Sequence, residues 1–368
     1  MTTRSKAFFL NGGAGRMLCS IPALELYEQE SGDTEFVIVC EGGTDMFKGH
    51  PTLDARAYDP WHKNLFKDVL KNRNVLYPEP YRVWEYYNQK CSLAQAFDIE
   101  LNGKGIRDLP KPTMKLSKEE LLVGRKLINE VKTKIKKDKL LIIQPFGRGI
   151  EINDDTPIDS TGRSFEFKDL KMMLKDLEKD YAIVMMSELK IDLKGEGLKS
   201  EIAMPEGLNI RQWASMIKYA DHFLGCDSVG QHLAYCVGTT TTAVHGSTFP
   251  INVSYPDTEN FNVLDLGQSN RIYDPIRITQ EESTNRHNES LMAMDDKIIE
   301  YVVGVVNGTL IHGNDDEEPE VGTGQQPKVI DDDDTVDAVF ENIADAVDDE
   351  LKIITCPSGK VTDTEDFK

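Results

Sequence analysis

The densest set of chemically able residues lies in Ala220–Pro250, ADHFLGCDSVGQHLAYCVGTTTTAVHGSTFP. An apolar run ends at Gly225, and Asp227 and Ser228 follow it. Gly230 permits close backbone approach where the next helix begins, and His232 falls in that helix's first turn. A second apolar run ends in the turn Gly246-Ser247-Thr248. Polar side chains, open amides and a helix dipole thus meet at the carboxyl ends of two neighbouring strands, an environment suited to a diphosphate. A second place is the loop N-G-G-A-G-R, Asn11–Arg16, after the strand-like KAFFL. Gly13 and Gly15 let backbone amides approach a phosphate at a helix start. The loop has neither the spacing of a dinucleotide fingerprint nor the G-K-[ST] of a Walker loop, and it reads equally as a plain strand–helix turn. Two carboxylates, Glu41 and Asp45, follow the apolar run FVIVC.

The elements that must position these groups alternate. Short apolar runs at Lys6–Leu10, Phe36–Cys40, Leu140–Gln144, Tyr181–Ser187, His222–Gly225 and Thr241–His245 are separated by helical patterns, the mark of βαβ units and parallel sheets. Helices are predicted over 166–179, 211–219, 230–237 and 295–306. Pro22, inside the apolar stretch Met17–Tyr27, predicts a kink or a late start with Ser20 as N-cap. From Glu41 to about Pro112 the pattern is weak, and short strands and helices are expected. Asp108–Thr113 resembles a linker, and Ser117-Lys118-Glu119-Glu120 opens a helix as a capping box. The division is therefore an N-terminal α/β domain over 1–112, a linker helix over 113–139, a C-terminal α/β domain over 140–312, and an acidic linker and tail over 313–368.

Charge supports that last boundary. Residues 313–368 hold 18 acidic and 4 basic residues, a net of −14, against −7 for the other 312. The tail reads as disordered, with an amphipathic stretch at 335–352 that could recruit a protein partner. Its D-x-D at Asp331–Asp334 reads as a charge run rather than a metal site. No basic stripe suits nucleic acid; Lys132–Lys139 reads as a helix face and its C-terminal turn. A hydrophobic content of 39% excludes a wholly disordered chain, and no apolar run is long enough to span a bilayer. Six cysteines without C-x-x-C spacing read as reduced, buried hydrophobes. With no readable secretory signal, a cytoplasmic protein is the expectation.

Together, the residues of Ala220–Pro250 resemble the donor site of the ADP-heptose:lipopolysaccharide heptosyltransferase family, glycosyltransferases of the GT-B fold. The family pattern, roughly A-D-x-x-[VI]-x-x-D-[ST]-G-x-x-H-L-A-x-[AL]-x-G-x-P-x-[VT]-x-[LV]-[FY]-G-[PS]-T-[DF]-P, is met at Asp227, Ser228, His232, Leu233, Ala234, Gly238, Gly246, Thr248 and Pro250. Asn209–Ile217 is similar to the helix before it, Gly15–Leu24 to the family's G-D-x-[LV]-x-x-[LT]-P-A-L, and Gly49–Asp54 to its segment after the second strand. Gly162–Phe167 resembles its K-x-W-P phosphate turn, with Arg163 where a Lys is usual. The resemblance covers about residues 6–307.

Three departures stand out: Val229 for a motif glycine, Thr240 for a proline, and Arg16 where the family carries the Asp that acts as general base. An arginine takes no proton at neutral pH.

The resemblance implies two Rossmann-like α/β domains facing across a cleft, with room for the last body helix to return to the N-terminal one. It implies inverting, metal-independent transfer from a nucleotide-diphosphate sugar to a hydroxyl acceptor, glycan- or lipopolysaccharide-like, with no cofactor beyond the nucleotide sugar. Asp227 would hold sugar hydroxyls and contribute to catalysis. Ser228, Gly230 and Thr248 would line the diphosphate with Gly13, Gly15 and Arg16, and His232 and Arg163 would offset its charge. Glu188, after the strand at 181–187, would accept from ribose hydroxyls. Glu41 or Asp45 would replace the missing base. The alternatives are a non-catalytic sugar-nucleotide-binding module whose tail recruits a partner, and a transferase acting on modified nucleic-acid bases or protein.

Overall fold

The computed structural model describes residues 4–313 apart from 148, 154–155, 160, 190, 192, 194–196 and 272–289. The tail beyond 313, with its amphipathic stretch and Asp331–Asp334, lies outside the described residues.

The first half is built from β1 (Lys6–Leu10), α1 (Ala14–Ser31), β2 (Val37–Cys40), β3 (Ala57–Tyr58), β4 (Asn74–Leu76), α2 (Trp84–Tyr87) and α3 (Leu93–Asn102). Its four strands form a parallel sheet in the order β3-β2-β1-β4. Phe8 and Leu10 turn one face of β1 to α1, while Ala7 packs with Val37, Val39 and Leu65 on the other. The helix starts at Ala14, earlier than Pro22 predicts, and passes through the proline. One missing backbone donor is outweighed by burial of Met17, Leu18, Ile21 and Leu24, each without exposed surface and each contributing roughly 2 kcal/mol. Gly32, at φ 69°, ends the helix in the left-handed region.

The second half follows the helix α4 (Lys118–Ile135). It comprises β5 (Lys139–Gln144), the hairpin β6 (Ile150–Asn153) and β7 (Thr156–Asp159), α5 (Phe167–Leu177), β8 (Tyr181–Met185), α6 (Ile210–Tyr219), β9 (His222–Cys226), α7 (Val229–Val237), β10 (Thr241–His245), α8 (Pro250–Val253), β11 (Phe261–Asp265) and α9 (Asp296–Asn307). Five of these strands make a parallel sheet in the order β11-β10-β9-β5-β8. The Ser117–Glu120 capping box is formed in both directions, 3.2 and 2.7 Å, and Asn209 with Gln212 does the same for α6.

Both sheets belong to one compact unit. Phe8, Leu10 and Met17 share a continuous core with Ile142, Leu233 and Ala234. Arg211, buried on α6, ties the halves together. Its guanidinium donates to both Glu120 oxygens (2.6 and 2.8 Å) and to the carbonyls of Asp45, Lys48 and Lys115. Asn252 donates to the carbonyls of Tyr86 and Cys91. The last helix does not return to the N-terminal half. Ile298, Tyr301, Val302 and Val305 of α9 bury against α5 in the second core, where the Tyr181 hydroxyl donates to Val306 O. All five described cysteines are buried thiols, and burial raises the pKa of Cys19 to about 12.

Candidate functional site

Asp227 follows β9 directly, and its buried carboxylate accepts from Gln231 Nε2 at 3.0 Å. Arg163 stands across from it, Nη1 to Oδ2 3.9 Å, with its Nε donating to Thr161 Oγ1. The Arg163 turn is rigidly built. The Ser164 amide donates to Asp159 at 3.1 Å, the Ser164 hydroxyl bonds to the same carboxylate and accepts from Gly147 N, and the Phe165 amide donates to Pro145 O. Ser247, in the turn after β10, donates to Thr161 O at 2.8 Å. The turns after β7 and β10 and the end of β9 are therefore brought together around Asp227 and Arg163. Ser228 is the N-cap residue of α7, and its hydroxyl makes no capping bond.

His232 is buried at the contact between the halves. A Cβ on Gly15 would lie 2.8 Å from His232 Cδ2, so only glycine fits there. His232 Nδ1 pairs with the Tyr255 hydroxyl at 2.9 Å and lies 3.8 Å from Cys19 Sγ. Burial pushes its pKa down to about 4. The ring is neutral at pH 7, so the expectation of a cationic His232 is corrected; it can meet a phosphate only as a neutral donor.

Gly230 also differs from expectation. Its amide, read as open to a diphosphate, donates to Gln144 Oε1 at 2.6 Å, and a Cβ would meet Gln144 Oε1 and Phe223 Cζ at 2.4 Å. Its glycine identity serves the packing of α7 on β5 and β9. Thr248 is buried beside the site, and its Oγ1 has no hydrogen-bond partner.

Arg16 is engaged with protein groups of its own half. Its Nη2 donates to Pro78 O (3.0 Å) and Glu79 Oε1 (3.2 Å), and its guanidinium lies over the rings of Tyr81 and Phe97. Buried among these groups, it anchors the Pro78–Tyr81 segment to α1. Gly13 is the residue before α1. Glu41 lies beside the same loop, its Oε2 accepting from Gly12 N at 2.6 Å. Asp45 has an exposed side chain, and its carbonyl is held by Arg211. Glu188 is exposed past β8, the edge strand two places from β9.

Sequence reasoning missed Gln144, Glu79 and Tyr255, which act across long sequence separations and leave no local pattern. It also passed over His245. A polar residue closing the apolar run before Gly246 was the available signal. Among the described residues no three His, Cys, Asp or Glu side chains come together to hold a metal ion, and no helix is long and apolar enough to cross a membrane.

No protein-family model matches the chain, and no curated protein matches it. Solved structures do. A family 9 glycosyltransferase from Veillonella parvula superposes with a TM-score of 0.58 at 12% identity, over 84% of this chain and 99% of that one. The iron-containing dodecameric glycosyltransferase TibC from enterotoxigenic E. coli gives 0.51 at 11% identity, over 84% and 78%. TibC has also been solved in complex with ADP-D-beta-D-heptose. The chain thus has the fold of these glycosyltransferases, as the resemblance in its sequence implies.

Proposed function

We propose that the protein is a glycosyltransferase that moves a sugar from a nucleotide-diphosphate sugar to a hydroxyl-bearing acceptor, by inversion and without a metal ion. The observation that carries this reading is the meeting of Asp227, Arg163, Ser228 and Thr248 at the carboxyl ends of β9 and β10, within a fold shared with family 9 enzymes. Arg163 and the positive end of α7 would stabilise the negative charge that grows on the leaving diphosphate. Asp227 would accept from sugar hydroxyls. On the acceptor side, Glu41 is the preferred base because the Gly12 amide fixes its carboxylate beside the glycine loop; Asp45 is the second choice. The acceptor oxygen attacks the anomeric carbon, its proton passes to the carboxylate, and the bond to the diphosphate breaks. Arg16 supports the loop that borders this space. A non-catalytic sugar-nucleotide-binding module is the second reading, favoured by the absence of a carboxylate at position 16.

The test is release of nucleoside diphosphate from ADP-heptose and from UDP-, GDP- and ADP-hexoses, with and without sugar acceptors. Release from one donor supports the transferase. Binding of a donor without release from any of them favours the binding module, and absence of both binding and release overturns both.

A further inference from the structure

The last residue of β10, His245, carries buried polar atoms that no group among the described residues satisfies. Val244 packs into the second core beside Cys226, so the alternation of a strand turns His245 to the opposite face, the one covered by α7. The pairing of Val244 with Cys226 sets His245 level with Asp227, the residue just past the end of the neighbouring strand. The charges acting on its ring are those of Asp227, Asp265 and Arg271. The side chain has no exposed surface, and neither Nδ1 nor Nε2 has a hydrogen-bond partner. Thr248 Oγ1, three residues on, is buried in the same unsatisfied state. Three polar atoms are desolvated here with nothing in return, although a phenylalanine or leucine would fill position 245 without that cost. Such a cost is retained where a ligand repays it.

The chemistry of the orphaned atoms narrows the ligand. Burial keeps the imidazole neutral at pH 7, so one nitrogen donates and the other accepts. Thr248 both donates and accepts, and Asp227 accepts only. A phosphate oxygen, which only accepts, leaves the acceptor nitrogen unmet and is repelled by the carboxylate. A sugar hydroxyl, which donates and accepts, answers all three. The ring is enclosed, and the adjoining turn is held by two side-chain hydrogen bonds, Ser247 Oγ to Thr161 O (2.8 Å) and Arg271 Nε to Gly246 O (2.6 Å). We propose that His245, with Thr248 and Asp227, forms the subsite that reads the hydroxyls of the donor sugar, reached when this turn yields to the bound donor. The assignment rests on the transferase reading above and names the part of its site that selects the sugar.

The test separates the sugar from the nucleotide. Isothermal titration of ADP, ADP-heptose, UDP and UDP-glucose into the wild type and H245F yields, for each nucleotide, the ratio of the two dissociation constants, which is the increment due to the sugar. For the preferred donor H245F should reduce that increment by about tenfold, the loss of one hydrogen bond, while its urea midpoint holds or rises because orphaned polar atoms are removed. H245L carries the same comparison should the phenyl ring fail to pack, and H245Q, which keeps a donor and an acceptor, should recover part of the increment. An undiminished increment in H245F and H245L overturns the role of His245 and leaves the transferase reading intact. No binding of either nucleotide or its sugar by the wild type overturns the transferase reading and this assignment with it.

Discussion

Mild acid should destabilise this protein well above the pH at which carboxylates titrate. Burial lowers the pKa of both His222 and His232 from 6.5 to about 4. The unfolded chain therefore takes up two protons as pH falls through 6.5, while the folded protein refuses them until about pH 4. Stability is full above 6.5, declines between 6.5 and 4, and changes no further on their account below that. At pH 5 each histidine costs on the order of 2 kcal/mol, and the pair about 4. His245, lowered by burial in the same direction, adds to the trend. Glu120, held down to about 2 by Arg211, contributes only at lower pH. Urea unfolding at pH 7.5, 6.5, 5.5 and 5.0, followed through the buried Trp213, reads this directly. His222 is the clean control because it bonds Thr242 Oγ1 at the start of β9, away from the candidate site. H222Q should lose about 2 kcal/mol less stability than the wild type between pH 7.5 and 5. A flat profile across that range, or an unchanged loss in H222Q, would refute the assignment of buried neutral imidazoles.

Other outcomes follow from single contacts. R16M removes the ion pair to Glu79 and the bond to Pro78 O; it should cost about 2–3 kcal/mol in urea unfolding, with Glu79 left partly solvated, and leave nucleoside diphosphate affinity unchanged, since the guanidinium is taken up by Pro78, Glu79 and the Tyr81 and Phe97 rings. G230A drives a methyl group to within 2.4 Å of Gln144 and Phe223, and should destabilise by about 1–3 kcal/mol in the same assay. E41Q should slow transfer by about 10²–10⁴-fold with donor affinity intact, which steady-state rates and titration calorimetry resolve together.

What the sequence makes legible here is what local chemistry determines. β10 runs over the predicted residues, and the Ser117–Glu120 box forms because both of its bonds close within four residues. The segment from Glu41 to Pro112 resists reading for a physical reason. β3 has two residues, β4 is an exposed edge strand, and Leu65–Val69 winds as a π-helical turn, so before α3 at Leu93 no run is long enough to carry a period. The position of α1 is decided by burial against the sheet, which overrides Pro22. In the site, Asp227 and Arg163 meet as their sequence context implies, whereas the fates of Arg16 and Gly230 depend on partners 63 and 86 residues away. A pattern around residue 16 or 230 contains neither partner.

The proposed site at the ends of β9 and β10 holds a nucleoside diphosphate through Arg163. Calorimetric titration of ADP, UDP and GDP into the wild type and R163M tests it most directly. At least one nucleotide should bind, and R163M should weaken it by roughly 10- to 100-fold, the loss of a charged hydrogen bond, with the urea midpoint little changed because the Arg163 side chain is a quarter exposed. Binding of none of the three, or equal affinity in R163M, would contradict it.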